Sequence, residues 1–285
     1  MCIFIYKFLA LKKNRVKGLQ GFILYSTICE GGVVLPGWSY RMKHVVFYRG
    51  PSEINGLPVI GVLTKDTRNI KTGNMVQTWY LPDHKCKVSD SRKIQDRSES
   101  ICGTCIHQGR FDADGDRQKA SVTCYVNDLG INAVYNSTVD LPVSGFDEVR
   151  DAVILWGKSI RLGAFGDPVA VPFKAHEPIW EALDHAGLGS VGYTHQWREG
   201  RFKIWHKWLM ASVESYDDIP EDPKWRYFRA ANCEPRKGEI MCPNTAQTEK
   251  GYDNPVQCEQ CLLCDPSKGA KNIFNPLHGP AFRNK

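Results

Sequence analysis

Two periods of apolar and polar positions run along this chain, and the change from one to the other marks out its elements. "KHVVFYRG" (43–50), directly after Met42, reads as a strand, and "NIKTGNMVQTWYL" (69–81) reads as a loop entering an aromatic strand. "FDEVRDAVILWG" (146–157) sets Val149, Val153, Leu155 and Trp156 behind an acidic start, which predicts a helix closing at Gly157. "SIRLGAFGDP" (159–168) predicts a short buried strand that runs into a Gly-Asp-Pro turn. "HEPIWEALDHAG" (176–187) predicts a second helix, with Pro178 in its first turn and Gly187 just past its end. "SVGYTH", "WLMASVES" and "WRYFRAA" predict three more strands, the last two parted by "DDIPED" (217–222).

Strands alternating with helices imply βαβ units and a parallel sheet. The expected fold is therefore α/β, either a partial (β/α) barrel or an open, mostly parallel sheet, flanked by cysteine-rich metal-binding loops. Ligands of such sheets bind where strands run out into loops. Three polar clusters stand at those exits: Gly166 with Asp167, Thr194 with His195 and Gln196, and Ser212 with Glu214. The plainer alternative makes Asp167 a turn cap and His195 a histidine satisfied by its neighbours.

The chain has 285 residues, 42% of them hydrophobic, enough to bury a sizeable core. Its net charge of +6 is uneven: residues 1–41 carry Lys7, Lys12, Lys13, Arg15, Lys17 and Arg41 against Glu30, leaving the rest near neutral. The balance gives no general case for nucleic acid. Lys7 interrupts the first apolar run, and neither run in this stretch reaches the roughly 18 residues of a membrane span. Residues 1–41 are expected to be a poorly ordered or non-native extension, translation beginning at Met1 or at Met42, with a weak interfacial anchor as the alternative. A single α/β domain then fills 42–285, in the cytoplasm.

Eleven cysteines without an export signal point to metal before disulfides. Apart from Cys2 and Cys29 they fall in two segments, 86–124 and 233–264. "CEQCLLC" (258–264) is the C-x2-C-x2-C run that wraps three corners of an iron–sulfur cubane. Asp265-Pro266 stands where a fourth Cys-Pro is usual, and Cys242, followed by Pro243, is the candidate fourth corner. Grouping by sequence gives Cys86, Cys102, Cys105 and Cys124 as one set, and Cys242, Cys258, Cys261 and Cys264 as the other. Zinc is the rival, since "CGTC" and "CLLC" are also zinc knuckles. "DADGD" (112–116) places its glycine too early for a calcium loop and reads as a turn. His278 in "PLHGP" is a surface residue or a late contributor to the site.

These stretches, "KTGNMVQTWYL", "ICGTC", "TCYVN", "RLGAFGDPVAVP", "GYTHQW", "MASV", "MCPN", "CEQCLLC" and a terminal "HG", together resemble a family of uncharacterised bacteriophage and bacterial proteins of the mycobacteriophage gene-product-88 type. The resemblance covers roughly residues 55–280 and implies no established activity. The pattern is also distantly similar to radical S-adenosylmethionine barrels, which bind that cofactor at the position of the Gly166-Asp167-Pro168 turn; the C-x3-C-x2-C run of those enzymes is absent.

The leading expectation is a phage-type protein with one or two [4Fe-4S] clusters. Asp167 and His195 would be its catalytic residues, and Gly166, Asp167, Gln196 and Arg198 would bind a cofactor such as S-adenosylmethionine, with Arg161 facing the same mouth. A small molecule or an electron donor would be the partner. The competing expectation is a zinc-stapled module without catalysis, binding protein or nucleic acid through "HQWREGRFKIWHKW" (195–208). There Trp197, Phe202, Trp205 and Trp208 interleave with Arg198, Arg201, Lys203 and Lys207. The plainer account of that segment is a strand-loop-strand with buried tryptophans and a solvated basic edge.

Overall fold

The computed structural model describes residues 42–66, 69–111, 117, 118, 124 and 128–277. The leader with Cys2 and Cys29, the "DADGD" turn and His278 lie outside the described residues. The compact unit described here begins at Lys43.

The chain opens with three strands, β1 (His44–Pro51), β2 (Pro58–Thr64) and β3 (Val76–Pro82). Two short helices, α1 (Ser91–Gln95) and α2 (Glu99–Cys102), and a two-stranded pair, β4 (Arg110–Phe111) and β5 (Arg117–Gln118), follow. Then come α3 (Asp128–Thr138), α4 (Phe146–Trp156), β6 (Ile160–Phe165), α5 (Glu177–Ala186), β7 (Ser190–Thr194), β8 (Met210–Val213) and β9 (Tyr227–Ala231). The last elements are β10 (Glu239–Met241), α6 (Pro243–Glu249), α7 (Cys258–Cys261) and β11 (Asn272–Pro276).

Nine strands form one mixed sheet in the order β1-β2-β3-β6-β7-β8-β9-β11-β10, an α/β fold. β2 runs antiparallel to both its neighbours, and from β3 to β10 every pairing is parallel. The run "PVIGVLT" of β2 is buried in six of its seven positions, as expected of a strand covered on both faces.

Helix α4 forms where the pattern predicts it. Glu148 reaches back to the Gly145 N–H (2.9 Å), the start is acidic, and Val149, Ala152, Val153 and Trp156 bury one face. Gly157 closes it in the left-handed region, and Gly187 closes α5 in the same way. The two helices pack against each other, while α2 packs on β2, β3 and the Pro168–Ala170 turn. No helix among the described residues is long and apolar enough to cross a membrane.

Between β7 and β8 the chain follows the plainer strand-loop-strand account. Gly200–Lys207 is a run of 3-10 helix, stopped at Trp208. Two of its rings face inward, Phe202 and Trp205 being buried while Ile204 is exposed, and Trp208 just after it stacks on Trp180 with ring centroids 4.1 Å apart. The basic residues are engaged too. Arg198 lies over the Trp197 ring and near Asp218, Arg201 pairs with Glu199, and Lys203 pairs with Asp222. Rings committed to the core are not presented for stacking on bases.

Candidate metal centres

Helix α7 puts Cys258 and Cys261 one turn apart, so both side chains leave the same face. Leu262 then takes φ 47°, a left-handed conformation that costs a branched residue on the order of 1–3 kcal/mol. That turn stops the helix one residue after Cys261, two before Cys264. The loop is held from outside. The Cys258 and Glu259 N–H groups donate to the Lys71 and Thr72 carbonyls (3.0 and 3.2 Å), and the Asn74 N–H donates to the Glu259 carboxylate (2.7 Å). Asp265, buried where a fourth cysteine was sought, accepts from the Ser190 N–H at the start of β7 (3.1 Å). Arg226 donates to the Leu263 and Asp265 carbonyls (2.8 and 2.9 Å).

Cys242 arrives from the end of β10. Its N–H donates to the Phe274 carbonyl (2.8 Å), and Pro243 starts α6 immediately after it. Cys242, Cys258, Cys261 and Cys264 line one pocket, with Val191, Leu262, Leu263 and Ile273 completing its wall. The Tyr193 hydroxyl bonds the Cys264 sulfur, and the Leu263 N–H bonds that of Cys261. Burial pushes the Cys264 thiol up to about 12 despite the Tyr193 bond, and burial raises Cys258 and Cys261 as well, with Cys242 adding to each. Cys258, Cys261 and Cys264 favour their neutral form until a cation offsets the crowded charge.

A second convergence lies at the C-terminal ends of β7 and β8. His195 Nε2 is 3.0 Å from Glu214 Oε1, and His107 Nε2 is 3.5 Å from the same oxygen. The three ligand atoms lie within 4.8 Å of one another, and all three residues are half-buried. Cys105 hydrogen-bonds His195. Burial opposes charge on His195, yet the bonds to Cys105 and Glu214 hold its proton and raise the pKa to about 10. Burial would likewise raise Glu214, but the two imidazoles bring it down to about 2.

The other candidate residues support this second cluster. Asp167 is buried and accepts from the His195 N–H (2.8 Å), the Thr194 hydroxyl (3.0 Å) and the Val169 N–H (3.2 Å), which ties the end of β6 to the end of β7. Its burial raises its pKa. Gln196, also buried, holds the "CGTC" loop: it donates to the Cys102 carbonyl (2.9 Å) and accepts from the Thr104 hydroxyl (3.1 Å). Gly166, at φ +77°, lies so close to Tyr80 that a Cβ would sit 2.5 Å from its carbonyl oxygen. Arg198 faces Asp218 at the surface, and the charge of Arg161 bears on Cys258.

Cys102 and Cys124 are half-buried, and Cys86 is exposed in the loop after β3, where its charge bears on Tyr135. Cys105 thus meets a histidine and, through it, a carboxylate. His107 and Tyr193 are the residues sequence reasoning passed over. The signal for His107 was its place two residues after Cys105 in "CGTCIH"; Tyr193 had none. Tyr193 and His195 are alternate residues of one strand and its extension, so about 7 Å separates their backbones, the first touching Cys264 and the second Cys105.

No protein-family model, curated protein or solved structure matches this chain.

Proposed function

We propose that this is an iron–sulfur protein in which Cys242, Cys258, Cys261 and Cys264 hold one [4Fe-4S] cluster for one-electron chemistry. The observation that carries the reading is the common pocket: four thiols from two separate segments, the end of β10 and the α7 loop, face one space. Sequence spacing favours a cluster over zinc: "CEQCLLC" supplies three thiols at two-residue intervals, the C-x2-C-x2-C run of a cubane, whereas one zinc knuckle gives two. The Tyr193 hydroxyl and the Leu263 N–H are donors of the kind that tune a cluster's potential. An electron donor would be the partner and the cytoplasm the compartment, in keeping with the resemblance to phage and bacterial proteins.

The test is purification without oxygen, followed by iron, sulfide and zinc analysis and a visible spectrum. About four iron and four sulfide per chain are expected in the cluster, with a broad band near about 400 nm that dithionite bleaches. Both are lost in Cys258→Ser and Cys261→Ser. A colourless protein holding zinc on these cysteines would overturn the proposal and replace the redox reading with a stapled binding module.

A further inference from the structure

We infer that His107, His195 and Glu214 bind a divalent first-row transition-metal ion, with the Cys105 thiol beside it, as a second centre separate from the cysteine pocket. The three residues come from three parts of the chain: a 3-10 turn (Ile106–Gln108), the residue after β7, and the residue after β8. An ordinary ion pair needs one imidazole for one carboxylate. Here two imidazole nitrogens face one carboxylate oxygen, at 3.0 and 3.5 Å, while a thiol meets the first imidazole. An ion with ligands at about 2.0–2.2 Å keeps them roughly 3.0–3.5 Å apart, so binding requires little rearrangement.

The donor set decides the class of ion. Two imidazoles and a carboxylate take zinc or ferrous iron rather than calcium or magnesium, and three protein ligands leave a position open for water or substrate. The surroundings are those of a prepared site. Asp167 fixes the His195 backbone at 2.8 Å, and Gln196 clamps the loop that carries Cys105 through the Cys102 carbonyl and Thr104. Both braces are buried. The location, at the C-terminal edge of parallel strands, is where open α/β sheets place their ligands. This gives Asp167 and His195 different parts: His195 holds the ion, and Asp167 positions His195.

The experiment counts metal by difference in the full chain. Wild type, Glu214→Gln and His107→Ala are each loaded with Zn2+ or, without oxygen, with Fe2+; desalting and assays for metal and sulfide follow. Metal bound is expected to fall by about one ion per chain in both variants, with sulfide unchanged. Cys261→Ser serves as the converse: it depletes the cysteine pocket and leaves the His/Glu ion in place. Failure of the iron–sulfur reading is therefore seen separately from failure of this one.

Equal metal content in wild type and both variants would overturn the inference. Should a variant fold poorly, the melting temperature of wild type decides: Zn2+ raises it if the site exists and leaves it unmoved if not, with Cys261→Ser as the background.

Discussion

His176 is wholly buried, and its two ring nitrogens are both spoken for. Nδ1 faces the Pro172 carbonyl at 3.1 Å, which only accepts, so Nδ1 carries the proton and Nε2 accepts from the Tyr80 hydroxyl at 2.9 Å. Trp180 stacks on the ring at 5.4 Å, and Trp205 and Phe47 stand edge-on to it. Burial pushes the pKa from 6.5 down to about 3, the Pro172 carbonyl resisting only in part. Between those values the unfolded chain binds a proton that the folded chain refuses. Stability from this residue is therefore fully present above about pH 6.5 and is lost as the pH falls toward 3. The slope approaches about 1.4 kcal/mol per pH unit, which integrates to about 2 kcal/mol between pH 6.0 and pH 4.5. Urea unfolding of wild type and His176→Phe at both pH values isolates this share, because the two proteins differ at this residue alone. The Phe variant is expected to start less stable, having lost the Tyr80 bond, but to lose about 2 kcal/mol less across the window. Equal losses in the two proteins would refute the account of a buried neutral imidazole.

Three further outcomes are expected. Tyr193→Phe removes the hydroxyl from the Cys264 sulfur and should lower the affinity of the cysteine pocket for its metal by about 10–100-fold, read as loss to a chelator; unchanged affinity would make the contact incidental. Glu239→Gln leaves Arg229 buried without its two 2.7 Å bonds to a carboxylate and should cost about 3–5 kcal/mol in urea unfolding, a value below 1 kcal/mol counting against the pair. Gly166→Ala adds a Cβ 2.5 Å from the Tyr80 carbonyl oxygen at φ +77°, whereas Gly56→Ala, at φ +79°, meets nothing within 4 Å. The first should therefore be clearly the more destabilising by thermal melting, and equal effects would mean that backbone conformation alone is at issue.

The strands and helices between residues 146 and 231 were legible because each carries a local pattern. The acidic start and Gly157 bound α4, Pro178 and Gly187 bound α5, and short apolar runs mark β6 to β9. The interleaved aromatic and basic residues of 195–208 suited stacking on bases as well as a loop with buried tryptophans, and the second holds: Phe202 and Trp205 turn inward, Trp205 against Phe173, and Trp208 stacks on Trp180. The strand exits named Asp167, His195 and Glu214, but not that a loop 88 residues before His195 would supply His107.

The sequence by itself determined the elements between residues 146 and 231 and the parallel direction of the central strands, and it proposed the grouping of Cys242 with the "CEQCLLC" loop, since these follow from local periodicity and from spacing. Tertiary structure alone decided which side chains meet. Neither the approach of Cys105 to His195 nor that of His107 to Glu214 follows from spacing, because both depend on how β7 and β8 align side by side and how Gln196 anchors the loop between α2 and the 3-10 turn. Long-range pairing of this kind is fixed by the packing of the whole sheet, and no local pattern records it.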